Sequence, residues 1–132
     1  MVLVSVTRLR LRSWRYLPGF ILWSGRAIRQ ARAASGNLHA AVMRDRHGGF
    51  WTCTVWESEA AMRRFMLSGA HRRAMPRLAA WCEAAARVHW SQQTAEPPSW
   101  HEAWLRLRDE GRPSRLDHPS PAHLAHEIPP ID

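Results

Sequence analysis

A chain of 132 residues, 45% of them hydrophobic, is long enough to bury one core and too apolar for wholesale disorder. Its net charge of +8, from 19 basic residues that are all arginine against 11 acids, attracts anions of every kind and so ranks no partner. The two cysteines, Cys53 and Cys82, form no CxxC pair, which argues against a disulfide-stapled secreted domain.

Arginines interrupt the opening apolar run by Arg8, and no apolar run reaches transmembrane length. The expectation is therefore a cytoplasmic protein without membrane insertion. The 8 tryptophans exceed what one small core needs and suggest a lined cavity or a subunit interface.

Residues 2–14 alternate, with Leu3, Leu9 and Leu11 on one side and Arg8, Arg10 and Arg12 on the other. This predicts a half-buried strand, leucine inward and arginine outward. After Pro18 and Gly19 the period changes. Phe20, Ile21, Ser24, Ala27, Ile28 and Ala31 recur at three and four, a helical stripe over 17–34 that Ser35-Gly36-Asn37 stops.

Residues 38–46 and 50–56 read as two strands joined by Asp45-Arg46-His47-Gly48-Gly49, a hairpin. Both faces of the second strand are apolar, so it should be central. Ser58 is a good helix N-cap, followed by Met62, Phe65 and Met66 at helical spacing. Gly69 breaks that helix, and a second segment from His71 carries Leu78, Trp81, Cys82 and Ala85. Pro76 predicts a kink or a fresh helix start nearby. Residues 86–91 complete a fourth strand.

The order β-α-β-β-α-β predicts an α+β ferredoxin-like sandwich, a four-stranded antiparallel sheet with both helices on one face. The second, apolar sheet face needs a cover, and a second copy of the chain packing sheet to sheet supplies one, so a homodimer is expected. Residues 1–94 form this domain. Residues 95–111 are a linker and an accessory amphipathic helix, which Ser99 and Glu102 open as a capping box, and 112–132 are an extended tail rich in proline and histidine.

The run formed by Trp56, Glu57, Ser58, Glu59, Ala61, Phe65, Ser68, Gly69 and His71, together with Pro98 to Ala103, resembles the dimeric α+β-barrel superfamily over residues 2–111. Within it the chain is similar to antibiotic-biosynthesis monooxygenases and nearest to small proteins related to spheroidene monooxygenase. The resemblance implies a dimeric α+β barrel with a ligand cavity between sheet and helices. It also implies that His71 lies near that cavity, with Trp23, Trp51, Trp56 and Phe65 as candidate walls for a small-molecule substrate.

His71 is the leading catalytic candidate, since an imidazole titrates near neutrality and serves as base, acid or iron ligand. Tyr16, the only tyrosine, is a second candidate at a strand end. If the cofactor is haem rather than none, His71 is the candidate iron ligand, with Arg72 and Arg73 forked toward a propionate. The tail histidines His118, His123 and His126 do not match a closed zinc site, so no metal site is expected.

No glycine-rich phosphate loop, HExxH or GxSxG motif occurs, which argues against nucleotide chemistry, zincin chemistry and triad hydrolysis. Three readings follow. The first is a monooxygenase-like enzyme acting on a small apolar or aromatic metabolite, and the second a haem-dependent enzyme. The third is non-catalytic binding of a small molecule or, less well supported, of nucleic acid. Strand arginines interleaved with leucines make a poor stacking surface for bases.

Overall fold

The computed structural model describes residues 1–131. The elements are β1 (Val2–Leu11), α1 (Leu17–Ala33), β2 (Asn37–Arg44), β3 (Gly49–Trp56), α2 (Glu59–Met66), α3 (Gly69–Trp81), β4 (Cys82–Gln92), α4 (Trp100–Glu110), β5 (Arg112–Pro113) and α5 (Pro121–Leu124). The strands pair antiparallel in the order β2-β3-β1-β4-β5, so the ferredoxin-like succession holds with one short strand added at the β4 edge.

The sheet is open, with edges at β2 and β5, and does not close into the barrel that the resemblance implies. The face expected to meet a second copy is covered by the chain itself. Ala103 and Leu107 of α4 are buried against Val4, Val6, Trp51, Val55 and Trp90, and Ile128 and Ile131 pack beside them. This overturns the reasoning behind the homodimer. Alternation reveals that a face is apolar; it does not reveal that a later helix of the same chain supplies its cover.

Local bonds fix that cover in place. The Ser99 hydroxyl accepts from the Glu102 amide at 3.1 Å and starts α4. The Trp104 indole donates to the Ile128 carbonyl at 3.1 Å, and His126 meets the Leu107 carbonyl through Nε2 at 3.0 Å. The Ala85 amide on β4 donates to Nδ1 of buried His123 at 3.1 Å. Two of the tail histidines thus serve as backbone partners for the fold.

Arg8 departs from its expected outward position. It is 4% exposed on the α4-facing side, where Nε donates to Asp45 at 2.8 Å. The Asp45 carboxylate also accepts from the Trp51 indole at 2.8 Å and from the amides of His47 and Gly49 at 2.8 and 2.7 Å. A Cβ on Gly49 would collide with both Arg8 and Asp45, which is why the hairpin tip carries glycine there. Burial pushes the Asp45 carboxyl up, but the bonds from Arg8, Trp51 and Gly49, with the Arg8 charge, outweigh it and bring it down to about 2.

The remaining differences are local. β1 ends at Leu11 after a bulge at Arg10 and Leu11, and a short 3-10 turn, Trp14–Tyr16, leads into α1. Helix α3 runs through Pro76 without a fresh start. The break falls at Gly69, whose φ is +55°, and both Pro76 and Arg72 are exposed, so the carbonyl that loses its partner faces water. β4 begins at Cys82 rather than at 86. The alanine-rich stretch there favours helix by propensity, and pairing with β1 overrides it.

Candidate functional site

On the helix-facing side of the sheet two apolar clusters stand apart. One joins Leu3 and Trp56 to Ala31 of α1 and to Ala61, Met62 and Phe65 of α2. The other joins Leu11 and Cys82 to Phe20, with Tyr16, Phe50 and Trp81 packed around them. Between them the same face carries polar residues. Ser5 pairs with Thr54 on β3 and His89 on β4, and Thr7 pairs with Thr52 and Arg87. Helix α1 packs on α3 and β2, and α2 on β3, while Arg87 and His89 stay exposed and Ser5 and Thr7 half-buried. The strip is therefore only partly covered by the helices.

His71 joins this region through a chain of contacts. The Trp56 indole donates to the Thr54 hydroxyl at 2.9 Å and stacks on Phe65 with ring centroids 5.1 Å apart. Phe65 in turn meets the His71 ring at 4.8 Å, tilted by 57°. The corner that presents His71 is built by Gly69, where a Cβ would strike the Gln30 amide. Gln30 accepts from the His71 backbone amide at 3.1 Å and donates to the Ser68 carbonyl at 3.0 Å, tying α1 to the start of α3.

Nδ1 of His71 lies 3.2 Å from the Met66 carbonyl. A carbonyl only accepts, so Nδ1 carries the proton and Nε2 carries the lone pair. Burial holds the imidazole below its ordinary value, and the bond to Met66 opposes that only in part. The result is a neutral imidazole with a basic nitrogen, its ring beside that of Phe65.

Next to this corner a groove of about 330 Å³ runs between α1 and α2, with Gln30, Ala34, Ala61, Arg64, Phe65 and Ser68 among its walls. His71 is not in its lining, although three residues that touch it or its neighbours are. That arrangement does not fit a haem bound through His71. The ring lies outside the groove, and neither Arg72 nor Arg73 lines it, so a haem in this groove would have none of the three expected partners. Among the described residues no three His, Cys, Asp or Glu side chains converge as a metal site.

Residues 15–113 match the model of a domain of unknown function, DUF3291. The chain belongs to this family. No curated protein matches it. Among solved structures, this DUF3291 chain is similar to SnoaB, a cofactor-independent oxygenase from Streptomyces nogalater, at 15% identity and a TM-score of 0.59, covering 70% of this chain and 94% of that one. It is also similar to Rv0793 from Mycobacterium tuberculosis, at 12% identity and a TM-score of 0.63, covering 71% and 97%. A conserved protein from Methanosarcina mazei Go1 aligns at 10% identity and a TM-score of 0.63, covering 70% and 94%.

At such identities the likeness shows the fold alone. It is the fold of the antibiotic-biosynthesis monooxygenases, and the narrower resemblance to spheroidene monooxygenase finds no support in these matches.

The predicted site residues separate in the DUF3291 structure. His71, Phe65 and Trp56 come together as one stack. Trp51 is fully buried on the opposite sheet face. Trp23 lies on α1 with the guanidiniums of Arg26 and Arg77 over its ring, at 5.0 and 4.1 Å. Tyr16 stacks on Trp81 at 6.1 Å and accepts from Arg15 at 2.6 Å, in the cluster at the other end of β1. Arg72 and Arg73 are exposed on α3.

Sequence reasoning missed the Ser5, Thr7, Thr52, Thr54 and His89 strip. Its signal was present, since these polar residues share strand parity with the inward leucines. Both thiols are poor nucleophiles, because burial pushes Cys53 up to about 11 and Cys82 up to about 12.

Proposed function

We propose that this protein is a monooxygenase-like enzyme acting on a small apolar or aromatic metabolite, with His71 as its base. The observation that carries the reading is the neutral imidazole of His71, its Nε2 lone pair free of the Met66 bond, set against the Phe65–Trp56 stack. Aromatic walls favour a flat, electron-rich substrate by apolar burial and ring contact. The hydroxyls of the polar strip supply hydrogen bonds for a substrate oxygen without adding charge.

In such a site the chemistry starts with proton removal from an acidic C–H or phenolic O–H by Nε2. The resulting carbanion-like substrate transfers electrons to molecular oxygen and forms a C–O bond. The peroxide anion so formed takes the proton back from His71, and the freed Nε2 then removes the remaining hydrogen of the same carbon. The C–H electron pair forms the carbonyl as the O–O bond breaks, and the departing hydroxide takes that proton as water. Apolar walls strip water from the substrate anion, which raises its reactivity toward oxygen, and hold the two reactants in an oriented encounter.

The test is oxygen uptake by purified protein with a tricyclic anthrone as substrate, in the absence of added metal, flavin or haem. Turnover is expected, and His71→Ala should lower it about 10²–10⁴-fold while leaving the fold intact. No oxygen uptake, combined with no quenching of tryptophan fluorescence by the anthrone, would remove this reading.

A further inference from the structure

The charge of the molecule is gathered in one layer. Helices α1, α2 and α3 carry eight arginines and a single acid, Glu59, while the rest of the sequence holds eleven arginines against ten acids. All eight are exposed: Arg26, Arg29 and Arg32 on α1, Arg63 and Arg64 on α2, and the remaining three on α3. Among the described residues only Arg63 of this group has a carboxylate partner, Glu59 at 2.9 Å. Nearly the whole +8 of the chain therefore faces solvent from the helical layer.

Aliphatic side chains stand among these cations. Ile21 and Leu22 at the start of α1 are 61% and 50% exposed, Leu67 between α2 and α3 is 70% exposed, and Met75 on α3 is 47% exposed. The two helices are joined on this side by Trp23, with Arg26 and Arg77 over its ring. Unpaired guanidiniums interspersed with exposed aliphatics place two different attractions on one surface.

We propose that this helical layer docks the protein on an anionic phospholipid bilayer. Guanidiniums pair with lipid phosphates, and the aliphatic side chains enter the boundary between headgroups and acyl chains. No helix among the described residues is long and apolar enough to cross a membrane, so the contact is with the surface. A nucleic acid would use the charge but not the aliphatics, and Trp23 already has two guanidiniums over its ring. The groove between α1 and α2 lies in this same layer, with Arg64 among its walls, so a docked molecule turns the groove toward a bilayer that dissolves apolar metabolites. The docking itself does not depend on the chemistry proposed above.

The test is co-sedimentation with vesicles of phosphatidylcholine alone and with a third phosphatidylglycerol, at physiological ionic strength. Binding is expected only to the anionic vesicles. Arg26→Gln should weaken it about fivefold, and adding Arg29→Gln about fivefold again. Ile21→Ser with Leu22→Ser, both at exposed positions, should weaken it about tenfold or more. Circular dichroism of each variant checks that the fold is kept. Equal binding to both vesicle types would overturn the proposal. So would unchanged vesicle binding in the Ile21/Leu22 variant together with full displacement by duplex DNA at equal phosphate, which would leave charge as the sole attraction.

Discussion

The two faces of the sheet are made by alternate residues of the same strands, yet they are built on different terms. Under α4, strands β1, β3 and β4 present Val4, Val6, Cys53, Val55, Val88 and Trp90, and the one charge set among them, Arg8, is matched by Asp45. Under α1 to α3 the apolar clusters stand only at the two ends, with Ser5, Thr7, Thr52 and Thr54 between them. The first face is closed by the chain's own C-terminal residues and holds the molecule together. The second keeps Ser5, Thr7 and Thr52 half-buried beneath a layer of helices, and there the proposed ligand would find both rings and hydroxyls. Strand parity thus divides the closed apolar core from the face that carries the proposed ligand chemistry.

The strongest way to break that division is to strike the ion pair. Asp45→Ala leaves the Arg8 guanidinium buried without a counter-charge and should cost about 3–5 kcal/mol in urea unfolding. Leu107→Ala, which empties a fully buried site on α4, should cost about 2–5 kcal/mol. Neither residue touches the His71 corner. At temperatures where both variants stay folded, anthrone oxidation per folded molecule should match the unsubstituted protein. A selective loss of turnover in Leu107→Ala would show that the two faces are coupled.

The same ion pair sets an acid limit. Asp45 is held at about 2 against an ordinary value of 3.8, so the folded state favours the carboxylate. Its contribution is complete above the unfolded value and is lost as pH falls from about 4 to about 2, a change of about 2 kcal/mol. Denaturation midpoints followed between pH 6 and pH 2 should show this slope, and Asp45→Ala should flatten it. On the other face, the downward shift of His71 predicts that turnover persists below the ordinary imidazole value of 6.5 before its acid limb appears. An acid limb at or above 6.5 in kcat/KM would mean that another group titrates.

How far the sequence carried these results depends on whether the deciding interaction is local. The Ser58 cap of α2, whose hydroxyl accepts from the Ala61 amide at 3.1 Å, and the Ser99 cap of α4 are readable because donor and acceptor lie three residues apart. The alternation of β1 is equally local, and so is the stripe of α1, except that Ile21, expected within it, is 61% exposed and only Phe20 and Ala31 are fully buried. The burial of Arg8 is not, because its partner is 37 positions away and reached only once the hairpin has folded beside β1. The cover of the second face escaped for the same reason: the apolar stripe of α4 was visible, its destination was not. At the candidate site, the Phe65–His71 pairing lay within one turn and a corner of sequence. The polar strip needed three strands in register before its members became neighbours.

The finest probe of the comparison uses two adjacent residues of β4. Val88 is 6% exposed under α4, whereas His89 is exposed on the helix-facing side, directly opposite Ser5. Val88→Ala should cost about 2 kcal/mol, through lost apolar burial and the space left behind. His89→Ala removes no buried contact and should change stability by no more than about 0.5 kcal/mol. If the strip binds substrate oxygen, the same His89 substitution should raise KM for the anthrone, because one of its polar groups is gone. Val88→Ala should leave KM unchanged. A reversed pattern, with KM moving for Val88 and stability for His89, would mean that the ligand lies under α4 and that the assignment of the two faces has to be exchanged.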